Sequence, residues 1–407
     1  MSGTYSRRTV VSLSAVAAFA LPLGLKRFSA MAQESTPIAE APPLPPLPPG
    51  CTVVASGLMN PRYVVVDADG TIYVSEAGAA GDEKIFEPVG EGTPEANAAV
   101  LTSRGLTGQV SKVAPDGTQS VVATGLPSYS FGTEVVGPAG ITLSNGKIFL
   151  AIGGPGPATA IVPPIPNQDS VVSIDPATGT VTLVADLGAY ERSNNPDPHA
   201  VDSDLYGIAA APDGTLYVAD AGGNVVYKVN QTTGEFSVLA DLPGLPFEGA
   251  NPSRGGANEI DPVPTGVAVG PDGNIYVALL SGGPFPAGAA KVVKITPDGE
   301  MSDAVTGLTM GADVAFSPDG ALYASQLSLN LLQSPPANGN VVVANPDGTT
   351  SVVVADLFIV NGITFDSAGN LYIVVNASAP AGTPPIGMVL KCAMPAAVAS
   401  PAATPQG

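Results

Sequence analysis

Apolar and polar residues alternate along most of this chain with a period of two, interrupted every few positions by Pro, Asp, Asn and Gly. Alternation at 180° per residue marks strands whose two faces meet different surroundings. One unit recurs six times: "RYVVVDADGTIYVSEAG" (62–78), "AGITLSNGKIFLAIGG" (139–154), "YGIAAAPDGTLYVADAG" (206–222), "TGVAVGPDGNIYVALLSG" (265–282), "ADVAFSPDGALYASQLS" (312–328) and "NGITFDSAGNLYIVVN" (361–376). In the "PDG" turns Pro presets φ at the first turn position, and Asp and Gly accept the dihedrals of a tight hairpin. Each copy therefore predicts a hairpin of two strands, a and b.

A second hairpin, strands c and d, follows five of the copies, as in "GQVSKVAPDGTQSVVATGL" (108–126) and "GNVVVANPDGTTSVVVADL" (339–357). Six units of four strands predict an all-β fold, a six-bladed β-propeller over residues 51–393. The sixth unit stops at "GMVLKC" (387–392) and has no strand d. The stretch "CTVVASGL" (51–58) reads like "SVVATGL" (120–126) and "SVVVADL" (351–357), runs that close their units. The N-terminal strand is thus expected to complete the last blade in a velcro closure, which removes an exposed edge. Superposing the units puts Cys51 and Cys392 on either side of one c–d turn. That placement predicts a disulfide between them.

Composition supports a turn-rich β fold: 48 Gly and 42 Pro, no Trp and a single His. "SRRTVVSLSAVAAFALPLGLKRFSAMA" has the twin-arginine n-region (Arg7, Arg8), the apolar stretch and the Ala30-Met31-Ala32 site of a removable leader over residues 1–32. Its apolar run is too short to span a bilayer with ease. The expected product is extracytoplasmic, with a Pro-rich spacer over 33–50, a disordered Ala/Pro tail over 394–407, and no membrane insertion after cleavage. Residues 1–32 hold 4 of the 15 basic residues and no acidic ones, so the remainder carries 11 basic against 35 acidic, a net charge of −24. A surface of that sign excludes nucleic acid and anionic membranes as partners and can attract cations.

With the blades in view, the chain resembles the ScyD/ScyE family, exported NHL-like (TolB-like) six-bladed propellers named for scytonemin-pigment gene clusters. The stretches that carry the resemblance are "GLMNPRYVVVDADGTIYVSEAG", "ATGLPS", "DLGAYERSNNPDPHAVDSDLYGI", "VPTGVAVGPDGNIYVALLSGGPFPAGAAKVVKI" and "GLTMGADVAFSPDGALYASQ". Together they cover most of residues 51–357, and the "PFP.GAA" loop is the most specific of them. The resemblance implies the fold and an extracytoplasmic location. It brings no assigned catalytic residues.

Candidate chemistry follows from where the repeats place side chains. The residue before strand a forms a column of Arg62, Ala139, Tyr206, Thr265, Ala312 and Asn361. The next column is Tyr63, Gly140, Gly207, Gly266, Asp313 and Gly362, whose four glycines predict crowded backbones. Arg62, Tyr206, Thr265, Asp313 and Asn361 are the candidate ligand-binding set at a polar channel mouth. A small molecule, a glycan or an envelope protein is the expected partner of a monomeric binding or accessory protein. The last residues of strand b include two acids, Glu76 and Asp220. With Asp313 and Asn361 they offer oxygen ligands for Ca²⁺ and an alternative reading, a cation-dependent lactonase or hydrolase. Equally, each acid can cap the amides of its own turn. The loop 190–207 brings the lone His199 near Asp197, Asp202 and Asp204, without a nucleophile motif. The insertion 77–105 is expected to lie over the channel as a partial lid.

Overall fold

A strand with two apolar faces must be covered on both, and stacking identical sheets face to face does this for every strand but the outermost. The computed structural model describes residues 46–86, 101–131, 134–156, 163–199, 201–251, 254–333, 336–379 and 384–394. The expected leader lies outside them, as do most of the spacer and of the tail.

Six antiparallel blades form the ring, each built on four strands, with Glu83–Phe86 and Glu134–Val136 added to the sheet of blade 1. Strands a to d of blade 1 are Pro61–Val66, Ile72–Glu76, Leu101–Val113 and Gln119–Phe131; those of blade 2 are Pro138–Ser144, Lys147–Ile152, Ser170–Ile174 and Val181–Asp186. Blade 3 comprises Leu205–Ala210, Thr215–Asp220, Val225–Asn230 and Phe236–Asp241, and blade 4 Pro264–Val269, Ile275–Leu279, Ala290–Ile295 and Met301–Leu308. Blade 5 runs through Gly311–Phe316, Leu322–Gln326, Gly339–Ala344 and Thr350–Leu357. In the last sheet Ile363–Phe365, Leu371–Val375 and Gly387–Cys392 are followed outward by Cys51–Leu58. There Cys51 pairs opposite Cys392 and their sulfurs are bonded.

Strand a of each blade packs on strand a of the next, and blade 6 meets blade 1, so the innermost strands surround one axis. Inner strands are buried along their length, as in Leu371–Val375, whereas outer strands such as Thr350–Leu357 are exposed at most positions. The recurrent turns behave as their composition predicts. Gly70 donates its N–H to Asp67 O, and Asp69 Oδ1 accepts from Thr71 N at 2.8 Å. The same carboxylate-to-amide bond recurs at Asp116, Asp213 and Asp347. These hydrogen bonds hold all four carboxyls below their ordinary range.

Three features depart from the repeat. The flanks of the 77–105 insertion extend blade 1, with Glu83–Phe86 paired to Leu101–Val113; residues 87–100 of the expected lid lie outside the described residues. A further hairpin, Leu245–Asn251 with Ala257–Ile260, links blades 3 and 4. Part of the 190–207 segment is helical rather than loop. Asp186 caps Leu187–Asn194 by accepting from Ala189 N, and Asn195 ends the helix at positive φ. Among the described residues no helix is long and apolar enough to cross a membrane.

Candidate functional site

The glycine column allows the innermost strands to meet. A Cβ at Gly207 would lie 2.0 Å from Thr265 O, and one at Gly266 would lie 2.4 Å from Asp313 Cα. Gly140 and Gly362 are as tightly placed against Tyr206 and Tyr63. Hydroxyls stitch the same seams: Ser75 Oγ donates to Ala139 O, Thr265 Oγ1 sits 2.9 Å from Gly311 O, and Ser325 Oγ donates to Asn361 O at 2.8 Å. The column's two side-chain-bearing positions, Tyr63 and Asp313, then project where backbones leave room.

Four of the five candidate ligand residues share this axial layer. Tyr63 Oη donates to Ala312 O at 3.2 Å, and its ring meets Tyr206 edge to face at 5.8 Å. Asn361 donates Nδ2 to Tyr206 Oη at 2.6 Å. Arg62 donates Nη1 to Ala377 O at 2.7 Å and Nη2 to Val135 O. Asp313 Oδ2 accepts from Ile363 N at 2.8 Å across the seam between blades 5 and 6. Thr265, by contrast, is held between Ala278 O and Gly311 O, a linkage between blades. Burial pushes the Asp313 carboxyl up to about 8, against the lowering effect of the Ile363 and Val314 amides. Burial also raises Tyr63 and Tyr206. At Tyr63 the charge of Asp313 adds to burial; at Tyr206 the Arg62 guanidinium opposes it.

Glu76 and Asp220 do not join this layer. Glu76 Oε2 accepts from Met59 N at 2.6 Å, and Oε1 from Gln109 Nε2 and Ser111 Oγ. Asp220 Oδ1 accepts from the amides of Asp204, Gly222 and Gly223, and Oδ2 from Ser203 Oγ. Burial raises its carboxyl, with those bonds opposing. The equivalent residue of blade 5, the neutral Gln326, accepts from Thr309 N at 2.6 Å. In three blades, then, the end of strand b latches the turn that enters strand a. That job needs an acceptor, not a charge.

Two features of the site escaped the sequence reading. The first is a set of apolar residues that flank the polar axial layer. The residue after strand b donates its N–H to a residue just before strand a, giving the pairs Leu280 with Val263, Leu327 with Met310 and Ala377 with Ile359. These six are buried in one apolar cluster with Tyr63 and Tyr206, and Phe285 packs against it. Val263 and Ile359 hold positive φ, which β-branched residues rarely adopt; the carbonyl bonds just named hold them there. Arg62 Nη1 bonds Ala377 O of this set, so the polar and apolar groups are contiguous. The second feature is the shared burial of acids in blades 2 to 4: Asp197, Asp202, Asp204 and Asp220, which the sequence singled out, and Asp169, Glu191 and Asp261, which it did not. Composition gives no hint of their shared burial, because it depends on loops from different blades. His199 lies at their edge, with Nε2 3.8 Å from Asp197 Oδ1. Among the described residues no three His, Cys, Asp or Glu side chains are grouped to hold a metal ion.

Comparison with known proteins agrees with the architecture. No family model matches the chain. A gluconolactonase from Zymomonas mobilis is 27% identical over 194 residues, 43% of this chain and 49% of that protein. The chain thus spans about half the length of this curated relative. A putative oxidoreductase (glucose dehydrogenase) from Thermus thermophilus superposes with a TM-score of 0.51 at 16% identity, over 84% of this chain and 99% of the other; it supports the fold. A gluconolactonase from Xanthomonas campestris gives a TM-score of 0.42 at 14% identity, over 87% and 99%. This chain is a six-bladed propeller with gluconolactonase-like sequence over just under half its length.

Proposed function

We propose that the chain is a lactone-hydrolysing enzyme of the gluconolactonase type working at the ring axis, rather than a propeller that only binds a small molecule, glycan or envelope protein. The observation that carries this reading is Asp313, a carboxyl at the axis whose burial moves its titration to about 8. A group poised near neutrality can give and take a proton in one turnover. Water adds to the lactone carbonyl and the ring C–O bond breaks. Neutral Asp313 protonates the departing alkoxide, and its carboxylate recovers a proton from the attacking water. The likeness to gluconolactonase supports the substrate class.

Calcium bound by Glu76 and Asp220, the cofactor of the lactonase alternative, does not fit this arrangement. Both carboxylates are engaged by protein donors, and the axial layer holds a guanidinium that repels a divalent cation. No step is assigned to a metal. Export by the twin-arginine route and kinship with the ScyD/ScyE propellers complete the reading; the Cys51–Cys392 bond suits an oxidising compartment.

The test is a panel of aldonolactones and aryl esters, followed by acid release in weak buffer between pH 6 and 9. Turnover above the spontaneous rate is expected, unchanged by EDTA, falling above pH 8 and reduced about 100-fold or more in Asp313→Asn. No turnover on any member of the panel, or an Asp313→Asn enzyme as fast as the parent, refutes the reading.

A further inference from the structure

Arg62 is among the largest fully buried side chains of the protein. Its partners are two neutral carbonyls, Ala377 O and Val135 O; among the described residues no carboxylate pairs with it. A guanidinium has five N–H donors, so three have no acceptor among the described residues. Burying such a charge without a counter-ion costs several kcal/mol. Residues that carry this cost are ordinarily paired.

Beside it lies a second unmet group. Asn361 is fully buried, and while its Nδ2 reaches Tyr206 its Oδ1 has no hydrogen-bond partner among the described residues. Leaving a buried acceptor unmet costs about 1–3 kcal/mol. The backbones at the two residues adjoin across the seam of blades 6 and 1, where Gly362 N donates to Arg62 O at 2.9 Å. Tyr206, which holds Asn361, lies within the field of the guanidinium. Tyr206 thus links the two, bonded to Asn361 and acted on by the Arg62 charge, with the buried Glu134 and Asp204 carboxylates acting on it from farther round the ring. Apolar loop residues, Phe285 and Leu331 among them, pack in the cluster that adjoins it and must part for a ligand to enter.

We infer that the axis is an anion site that takes a small hydroxycarboxylate, its carboxylate on the free N–H edge of Arg62 and its hydroxyl donating to Asn361 Oδ1. An acceptor pair matches the guanidinium fork, and the low dielectric of the cluster strengthens the contact. Neither a divalent cation nor a neutral polyol meets both needs. The inference rests on the axis being the site proposed above, but not on hydrolysis taking place there.

The test is calorimetric titration of the full exported chain, disulfide intact, with glycolate, acetate and ethylene glycol in turn. Buffer at 0.15 M salt screens the acidic surface beyond roughly 8 Å. Saturable binding of glycolate is expected, with acetate about fivefold weaker or more and ethylene glycol silent. Arg62→Lys should weaken glycolate about tenfold, because Lys keeps the charge and loses the fork, and Arg62→Gln should abolish it. No glycolate binding, equal affinity for acetate, or an unchanged Kd in both variants overturns the inference. Should neither variant fold, crystals of the parent protein soaked in glycolate decide. Density joining Arg62 to Asn361 upholds the site, and its absence there refutes it. Glycolate binding without lactone turnover leaves the anion site and removes the enzyme reading; turnover without glycolate binding does the reverse.

Discussion

Asp313→Asn isolates the energetics of the axial layer. Its carboxyl titrates at about 8 in the fold against 3.8 in an ordinary environment, and burial is the main cause. For an acid whose folded pKa is raised, the folded state holds a proton that the unfolded chain releases. Stability from this group is then complete below about pH 4 and is lost as pH rises toward 8. Each unit of that window is worth about 1.4 kcal/mol, so between pH 5 and 8 the parent loses about 4 kcal/mol through this carboxyl. Asn is isosteric, keeps an oxygen for Ile363 N and does not titrate. Whatever it costs is the same at every pH. Urea unfolding at pH 5, 6, 7, 8 and 9, followed by circular dichroism and by tyrosine emission (the chain has no Trp), gives both curves. The variant should gain on the parent by about 4 kcal/mol from pH 5 to 8, and little more by pH 9. Parallel curves within about 1 kcal/mol would show that Asp313 is ionised throughout, and the proton-transfer role would go with it.

Other outcomes follow from the same geometry. Glu76→Gln should change the melting temperature little, since Gln326 makes the same latch in blade 5, whereas Asp220→Ala leaves three amides and a hydroxyl unmet and should cost about 3–5 kcal/mol. Melts of both variants with and without EDTA should superpose; an EDTA-sensitive parent made insensitive by Glu76→Gln would restore the metal reading. Reducing the Cys51–Cys392 bond, which spans a sequence separation of 341, should lower stability by at most about 5 kcal/mol. A Cys51→Ala, Cys392→Ala protein should be indifferent to reductant. A parent melt unmoved by complete reduction would refute the stabilising role.

Gln119 and Cys51 show how far local pattern reaches. Equivalent places in their units were legible because strand alternation and turn chemistry repeat within each hairpin, and pairing Val113 with Gln119 foretells pairing Cys392 with Cys51. The four glycines of the second column likewise announced that innermost backbones approach closely. Glu76 shows where that reach ends. Its place at the end of strand b was plain, but Met59 comes from the turn before strand a and Gln109 and Ser111 from strand c, and they decide that it latches a turn instead of facing the axis.

The sequence alone determined the period of the strands, the chemistry of the turns, the number of blades and the pair of cysteines, because each depends on residues that are near neighbours in a hairpin or on simple repetition. Tertiary structure decided the rest. Asp313 stays neutral only because backbones of adjacent blades exclude water around it. Val263, Leu280, Met310, Leu327, Ile359 and Ala377 come together from separate loops into one buried cluster. Arg62 has no carboxylate paired with it among the described residues because the two groups that closure of the ring brings to its Nη atoms are carbonyls. Burial and charge pairing are sums over the whole ring, and no window along the chain contains them.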